Sequence, residues 1–521
     1  MSRVSCFTLI LIVLSCYIIQ SDAAKILAYF PTPCFSHQVV FRPLTEELAR
    51  RGHEVTVVTT DPEFTKTTAP ANLNEVDVHD LSYSMWREHF LKTSTGNKDH
   101  LYNQITVIHK IMNEIIEKQL LSKEVKEVID LKNKYDLVII EAFPRHLLIL
   151  SHLFKVPMIL FSSFGSSFIN YHTFGAPTHE LLYPDNIRQR LYNLTMWEKV
   201  TDLYNVHSIK HFYDRFEDNE NAMLRRVFGD VPSIDELKNN VDLLFLNIHP
   251  IWEGIRPVPR SVVHIRGINE KPEKQLPTDL KTYLDSSKDG VIYISFGTNV
   301  KPSLLPPERI KNIINVMCAL PYDVLLKWDK DVLEGKSNNI NLAKWLPQSD
   351  LLRHPKIKLF ITQGGLQSTD EAINAGVPLI GIPMHGDQWY NIEQYSHFKI
   401  GMKLDWETMT EETLKDAVTT VIEDKSYRQN VIDLRNLMND HPQPPLERAV
   451  RWTEYVIRHS GARHLRAPAA NMPWHQYYEL ELVSTVLGVF IIGLMILVLV
   501  IVQLFKIVKK VIAKETKVKS N

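Results

Sequence analysis

Phe360-Ile361-Thr362-Gln363-Gly364-Gly365-Leu366-Gln367-Ser368-Thr369-Asp370-Glu371-Ala372-Ile373-Asn374-Ala375-Gly376-Val377-Pro378-Leu379-Ile380-Gly381-Ile382 is the stretch whose reading decides the fold. An apolar run over 358–362 predicts a buried strand. Two glycines then predict a tight turn. The periodicity of 366–375 predicts a helix, closed by Gly376 with Pro378 soon after. A second apolar run, 378–382, predicts the next strand. Strand, helix and strand joined by short connections form a βαβ unit, the seed of a parallel sheet. Two glycines at a strand-to-helix turn let backbone N–H groups approach a ligand closely, and the helix start adds free amides and a positive dipole end. Together these features suit a diphosphate.

The same pattern extends in both directions. Further strands are expected at 291–295 and 323–327, with a helix over 307–319 between them. Near the start, a strand over 25–30, a helix over 37–51 with Val40, Leu44 and Leu48 on one face, and a strand over 55–59 form another βαβ unit. Short buried strands are expected at 137–140 and 158–161, and a long helical region over 101–131. The Pro- and charge-rich segment 251–287 is expected to be a linker. The resulting expectation is an α/β protein with two Rossmann-like domains, 25–250 and 288–465, facing across a cleft where ligands bind.

Composition narrows the function. With 521 residues the chain is too long for one core, and 45% hydrophobic and 23% charged residues are globular values. A formal net charge of -1 leaves no basic excess for a phosphate backbone, so nucleic acid is not expected as a partner. Of four cysteines, Cys6 and Cys16 fall in the N-terminal segment. Cys34 and Cys318 remain; two unpaired thiols are favoured, a single disulfide between them being the alternative.

Two segments address a membrane. Residues 1–24 have Arg3, an apolar run and small residues at the end, the pattern of a secretory signal peptide rather than an anchor. Residues 482–505 are uncharged and long enough to span a bilayer. Trp474, Tyr477 and Tyr478 precede them within a juxtamembrane segment, 466–481, and a basic tail, 506–521, follows. Positive charge stays cytosolic, so a single-pass type I topology with lumenal domains is expected. The sequon Asn193-Leu194-Thr195 suits that side as a glycosylation site. Lys517 and Lys519 resemble a dilysine signal of endoplasmic-reticulum membrane proteins; a merely basic tail is the alternative.

The stretch from Phe360 through Pro383-Met384-His385-Gly386-Asp387-Gln388 resembles the donor-binding signature of the UDP-glycosyltransferases, called UDP-glucuronosyltransferases in vertebrates. Ser295-Phe296-Gly297-Thr298, Trp345-Leu346-Pro347-Gln348 and the start Pro31-Thr32-Pro33…Ser36-His37 extend the match, and the wording is closest to insect members. The resemblance implies a GT-B type fold and an inverting transfer of a hexosyl group from a UDP-sugar to a hydroxyl of a small lipophilic acceptor, as in detoxification or hormone and pigment conjugation. The UDP-sugar is a co-substrate; no other cofactor and no metal is expected. UDP-glucose is favoured, UDP-glucuronate stays open, and so does a homo-oligomer.

The resemblance also assigns roles. Trp345 would stack on uracil beside Gln348, and Glu371 would accept hydrogen bonds from the ribose hydroxyls. Ser368 and the amides of Gly364 and Gly365 would hold phosphate oxygens, with Gly297 and Thr298 on the facing loop and Gln367 within the signature. Lys327 would add charge near the diphosphate, a surface lysine being the alternative. Asp387 and Gln388 would read sugar hydroxyls. Gln363 stands where vertebrate relatives carry His, and offers a neutral hydrogen bond in its place. His37, at the start of the first helix, would be the catalytic base, its neutral form favoured by the helix dipole. Glu141 would orient it where the family carries Asp, while Asp136 is read as a strand-start residue. Apolar stretches 81–90 and 161–174 are acceptor-pocket candidates, with core packing the alternative. A non-catalytic UDP-sugar or lipophile binder is the rival function.

Overall fold

The computed structural model describes residues 23–65, 67–89, 101–179 and 181–519. The expected signal segment lies outside them up to residue 22. Ala24, at that segment's boundary, is already buried and accepts from the N–H of Glu54, so the folded chain begins by this residue. The described chain divides into two units, ending and beginning at Ala467 and Pro468.

The first unit is built on two parallel sheets. One has seven strands, β1 (Lys25–Phe30), β2 (Glu54–Thr59), β3 (Leu73–Asp77), β4 (Leu137–Glu141), β5 (Met158–Ser162), β6 (Val241–Leu246) and β7 (Val262–His264). Their spatial order is β3-β2-β1-β4-β5-β6-β7. The other has six, β8 (Val291–Ser295), β9 (Asp323–Lys327), β10 (Ile340–Ala343), β11 (Ile357–Thr362), β12 (Leu379–Gly381) and β13 (Gly401–Lys403), in the order β10-β9-β8-β11-β12-β13. Strand order reverses between β1 and β4 in the first sheet and between β8 and β11 in the second. In open α/β sheets ligands bind at the carboxyl ends of the strands flanking such a reversal. Central strands read as continuous apolar runs because helices cover both faces: β4, β5, β6 and β8 are buried at every residue.

The helices expected at 307–319 and 366–375 form with those bounds, as Pro307–Ala319 and Leu366–Ala375. Others depart. The long helical region divides into Leu101–Leu121 and Lys123–Val128, because Ser122 adopts an extended backbone and its side chain caps the second helix through the Val125 N–H. The expected linker is not featureless. β7 lies within it and pairs parallel with β6, and a helix, Thr278–Ser286, follows. A three-residue strand at a sheet edge has too short an apolar run to show as a period. The helix Pro445–Arg458 falls inside the expected second domain, yet it returns to the first sheet. Its buried Ala449, Val450 and Val456 join the cluster around Phe30, Phe41 and Leu48.

The second unit holds one long helix, Leu480–Lys519, whose apolar stretch is long enough to cross a membrane. The helix continues through the expected basic tail to residue 519.

Candidate active site

The reversal points of the two sheets open onto one cleft of about 600 Å³. From the first sheet, β1 runs into residues 31–36 and then the helix Phe35–Arg50, which carries His37 in its first turn. β4 ends on Glu141, buried at the carboxyl edge. Nδ1 of His37 lies 2.9 Å from Oε1 of Glu141, and Oε2 of Glu141 accepts from the Thr32 N–H at 3.3 Å. The extra methylene of Glu therefore reaches the ring while the second oxygen is satisfied by the backbone. Asp136 accepts from the Lys25 N–H, a strand-start contact away from the ring.

Next to this pair is a residue that pattern reading assigned no role. Cys34 is buried, with its Sγ 3.2 Å from Ser36 Oγ, and receives the side-chain amide of Asn299 at 3.3 Å. Burial pulls the His37 imidazole down, but the Cys34 thiol and the Glu141 carboxylate outweigh it and raise its pKa well above the ordinary value. Conversely, burial pushes the thiol up, and His37 with the hydrogen bonds from His37, Ser36 and Asn299 brings it down to about 7. The sequence expectation of an imidazole kept neutral by the helix dipole is thus corrected. Two acidic neighbours act against the dipole and favour the cation.

The second sheet supplies the opposite wall. β11 runs into Gln363, Gly364 and Gly365, and the helix Leu366–Ala375 starts with no side chain capping it. Gly365 borders the cleft, but Gly364 does not. Gly364 has φ +88°, its carbonyl accepts from Asn391, and a Cβ there would meet Ile392 at 2.5 Å. Its N–H points to Thr362 Oγ1 at 3.4 Å. Of the two glycines, Gly365 faces the cleft at the helix start, and Gly364 makes the turn. Gln363 is buried against Gly297 (φ +75°), where a Cβ would lie 2.3 Å from Nε2 of Gln363. Residue 297 is therefore held to glycine by its backbone, and any side chain there would displace the Gln363 amide.

One hydrogen-bonded chain links the remaining polar groups of this wall. Tyr293 donates to Oε1 of Gln348 at 2.9 Å, and Nε2 of Gln348 reaches Ser368 Oγ at 2.9 Å and Glu371 Oε2 at 2.7 Å. Ser368 keeps its own O–H to give. Burial pushes the Glu371 carboxyl up to about 7 despite the Gln348 bond. Trp345 is 60% exposed and borders the cleft, so an indole face is open to a flat partner. Phe35 of the first helix meets its ring edge-on at 5.6 Å. Lys327 Nζ sits 4.6 Å from the Trp345 ring centroid and donates to the Gly297 carbonyl at 3.0 Å. It is thus neither a free surface lysine nor simply a charge aimed at phosphate, since it ties the indole to the glycine loop. Thr298 is exposed on that loop.

Asp387 and Gln388 lie past β12. Oε1 of Gln388 is consumed by the N–H groups of Met384 and His385, which leaves its amide nitrogen to offer. Asp387 accepts from Asn391 at 2.9 Å. Burial raises its pKa, opposed by Asn391 and by the charge of His37 across the cleft. Gln367 borders the cleft but donates to the carbonyl of Ser163, a tie between the two walls. Asn193 is exposed, away from all of these. Cys34 and Cys318 are both free thiols. Among the described residues no group of three His, Cys, Asp or Glu is placed to hold a metal ion. Asn299, Tyr293, Phe35 and Asn391 were missed by the sequence reading. Asn299, Tyr293 and Phe35 act through partners distant in the chain, which no local spacing marks; Asn391 holds both the distant Gly364 carbonyl and the Asp387 carboxylate one helical turn before it.

Two parallel α/β sheets sharing one cleft at their reversal points have the GT-B architecture. A solved UDP-glucose: anthocyanidin 3-O-glucosyltransferase in complex with UDP has this fold, with TM-score 0.57 and 16% identity, covering 84% of this chain and 100% of that one. The family model of UDP-glucoronosyl and UDP-glucosyl transferases matches residues 24–518, and the chain belongs to that family. It is similar to the ecdysteroid UDP-glucosyltransferase of Spodoptera littoralis nuclear polyhedrosis virus, 32% identical over 92% of this chain and 97% of the relative. It is also similar to UDP-glucosyltransferase 2 of Dactylopius coccus, 32% identical over 92% of this chain and 93% of the relative. The chain is accordingly an enzyme, a UDP-glycosyltransferase.

Proposed function

We propose that this enzyme transfers glucose from UDP-glucose to a hydroxyl of a small lipophilic acceptor, inverting the anomeric centre, at the endoplasmic-reticulum membrane. The observation that carries the reading is the His37–Glu141 contact of 2.9 Å on the wall opposite the helix start at Gly365. Glu141 accepts from Nδ1–H of His37, which leaves Nε2 as the base. The ring takes the proton of the acceptor hydroxyl, and Glu141 stabilises the imidazolium that forms. The acceptor oxygen attacks the anomeric carbon as the bond to UDP breaks.

Charge developing on UDP meets the Gly365 amide, the helix start and the Ser368 O–H. Trp345 takes the uracil face, Glu371 the ribose hydroxyls, and Asp387 with the amide of Gln388 the sugar hydroxyls. Lys327 holds the indole and the Gly297–Thr298 loop in place. The names of the viral and insect relatives support glucose as the sugar, and a helix at Leu480–Lys514 long and apolar enough to span a membrane suits lipophilic acceptors.

The test is a panel of phenol and steroid acceptors with UDP-glucose and UDP-glucuronate, wild type against His37→Ala. Glucoside formation should fall by roughly 10²–10⁴-fold in the variant with UDP binding retained. Equal turnover by His37→Ala would remove the base from its role, and a preference for UDP-glucuronate would overturn the choice of sugar.

A further inference from the structure

Away from the cleft lies a second cavity, of about 490 Å³, with no carboxylate among its walls. It is bordered by both places where the chain crosses between the two sheets. The connection from β6 to β7 supplies His249 and Arg260, β7 itself His264, and the first crossing, which follows β7, Arg266. The second runs from the helix Lys425–Asn439 to the helix Pro445–Arg458 and supplies His441 and Arg448.

The charges of this cavity are unevenly matched. Arg266 is answered by Asp370 at 2.7 Å, and His264 by Glu253 at 3.3 Å. Arg448 is half-buried and bonds only to main-chain carbonyls, those of His264 and Gln443, so its charge has no anionic partner among the described residues. Neither does that of Arg260, which is exposed. Nδ1 of His441 is buried without a partner. Nδ1 of His249 is occupied by the Ile251 N–H, which leaves Nε2 as its donor. Burial first, then the nearby positive groups of Arg266, His264, His441 and Arg448, hold His249 down to about 4. Excess positive potential in a walled space favours an anion. Trp452 and Met438 give the cavity apolar walls besides.

We propose that this cavity is a second binding site, for a phosphate-type oxyanion, free or carried by a small monoester, and that its occupant clamps the β6–β7 connection to the second crossing. Arg260, Arg448 and the ring N–H groups of His249 and His441 are the donors. An anion held by both segments stabilises the folded chain by mass action.

The experiment uses the full chain in detergent, saturated with UDP so that the cleft is filled. Inorganic phosphate is titrated at constant ionic strength against chloride, glycerol 3-phosphate is titrated in a second arm, and Tm is read. A saturable rise in Tm is expected in wild type, and loss of that rise in the double variant Arg260→Gln/His441→Gln. The Tm rise given by UDP itself should persist in the variant and shows that it is folded. Saturation at lower concentration with the monoester would identify an organic phosphate as the occupant; equal behaviour would identify phosphate alone. No saturable rise with either anion, or the same rise in the double variant, overturns the proposal. A linear rise shared by both proteins reports exclusion of salt from the surface and overturns it equally.

Discussion

Asn299, on the loop after β8, donates its side-chain amide to Sγ of Cys34 at 3.3 Å, three residues before His37. The donor-side wall thus touches the thiol that raises the base. The consequence is a pH dependence with a definite sign. His37 must be unprotonated to act, so kcat/KM rises with pH through its raised pKa. Cys34→Ala removes a group that raises that pKa, so the acidic limb of the profile moves to lower pH. An unmoved limb would show that the thiol does not tune the base.

Gly364 and Gly365 should respond differently to the same change. Gly364→Ala places a Cβ 2.5 Å from Ile392 at a positive φ, whereas Gly365 has φ −61° and a Cβ there would make only an ordinary 3.9 Å contact with Gln363. Overpacking costs about 1–3 kcal/mol, so Gly364→Ala should lower Tm by several degrees. Gly365→Ala should keep Tm and weaken UDP. Thermal unfolding paired with UDP titration separates the two.

UDP affinity should depend on Glu371. Its carboxyl, raised by burial to about 7, is protonated below that pH and is a full acceptor above it. Affinity for uridine should therefore increase as pH rises through neutrality. Glu371→Gln should flatten this dependence and weaken binding by about 1.5–3 kcal/mol, the value of a hydrogen bond to a charged group. Calorimetric titration with uridine avoids the phosphate's own ionisation.

Arg266 and Asp370 form a buried pair joining the first crossing to the donor-side helix Leu366–Ala375. Arg266→Ala leaves a buried carboxylate without its partner. A loss of about 3–5 kcal/mol is expected in denaturant unfolding. Asp370→Asn in the same background should recover part of it, because the charge left behind is then removed.

The sequence by itself determined the parallel α/β architecture, the cleft at the strand ends, the helix bounds Pro307–Ala319 and Leu366–Ala375, and the residues of the donor signature. These are legible because apolar period, glycine turns and helix caps are local, and local backbone preference is written residue by residue. What only the tertiary structure decided depends on residues far apart in the chain. β7 exists because β6 offers it an edge, and the helix Pro445–Arg458 is apolar on one face because the first sheet is there to cover it. Gly364 serves the turn because Ile392 fills the space beside it, and Lys327 serves Trp345 because β9 ends beneath the indole. The direction of the His37 pKa shift escaped the sequence for the same reason. Its helix start was visible in sequence, but Glu141 and Cys34 bear on the ring only when β1 and β4 lie side by side. Electrostatic environment is a sum over space, and spacing along the chain carries only its nearest terms.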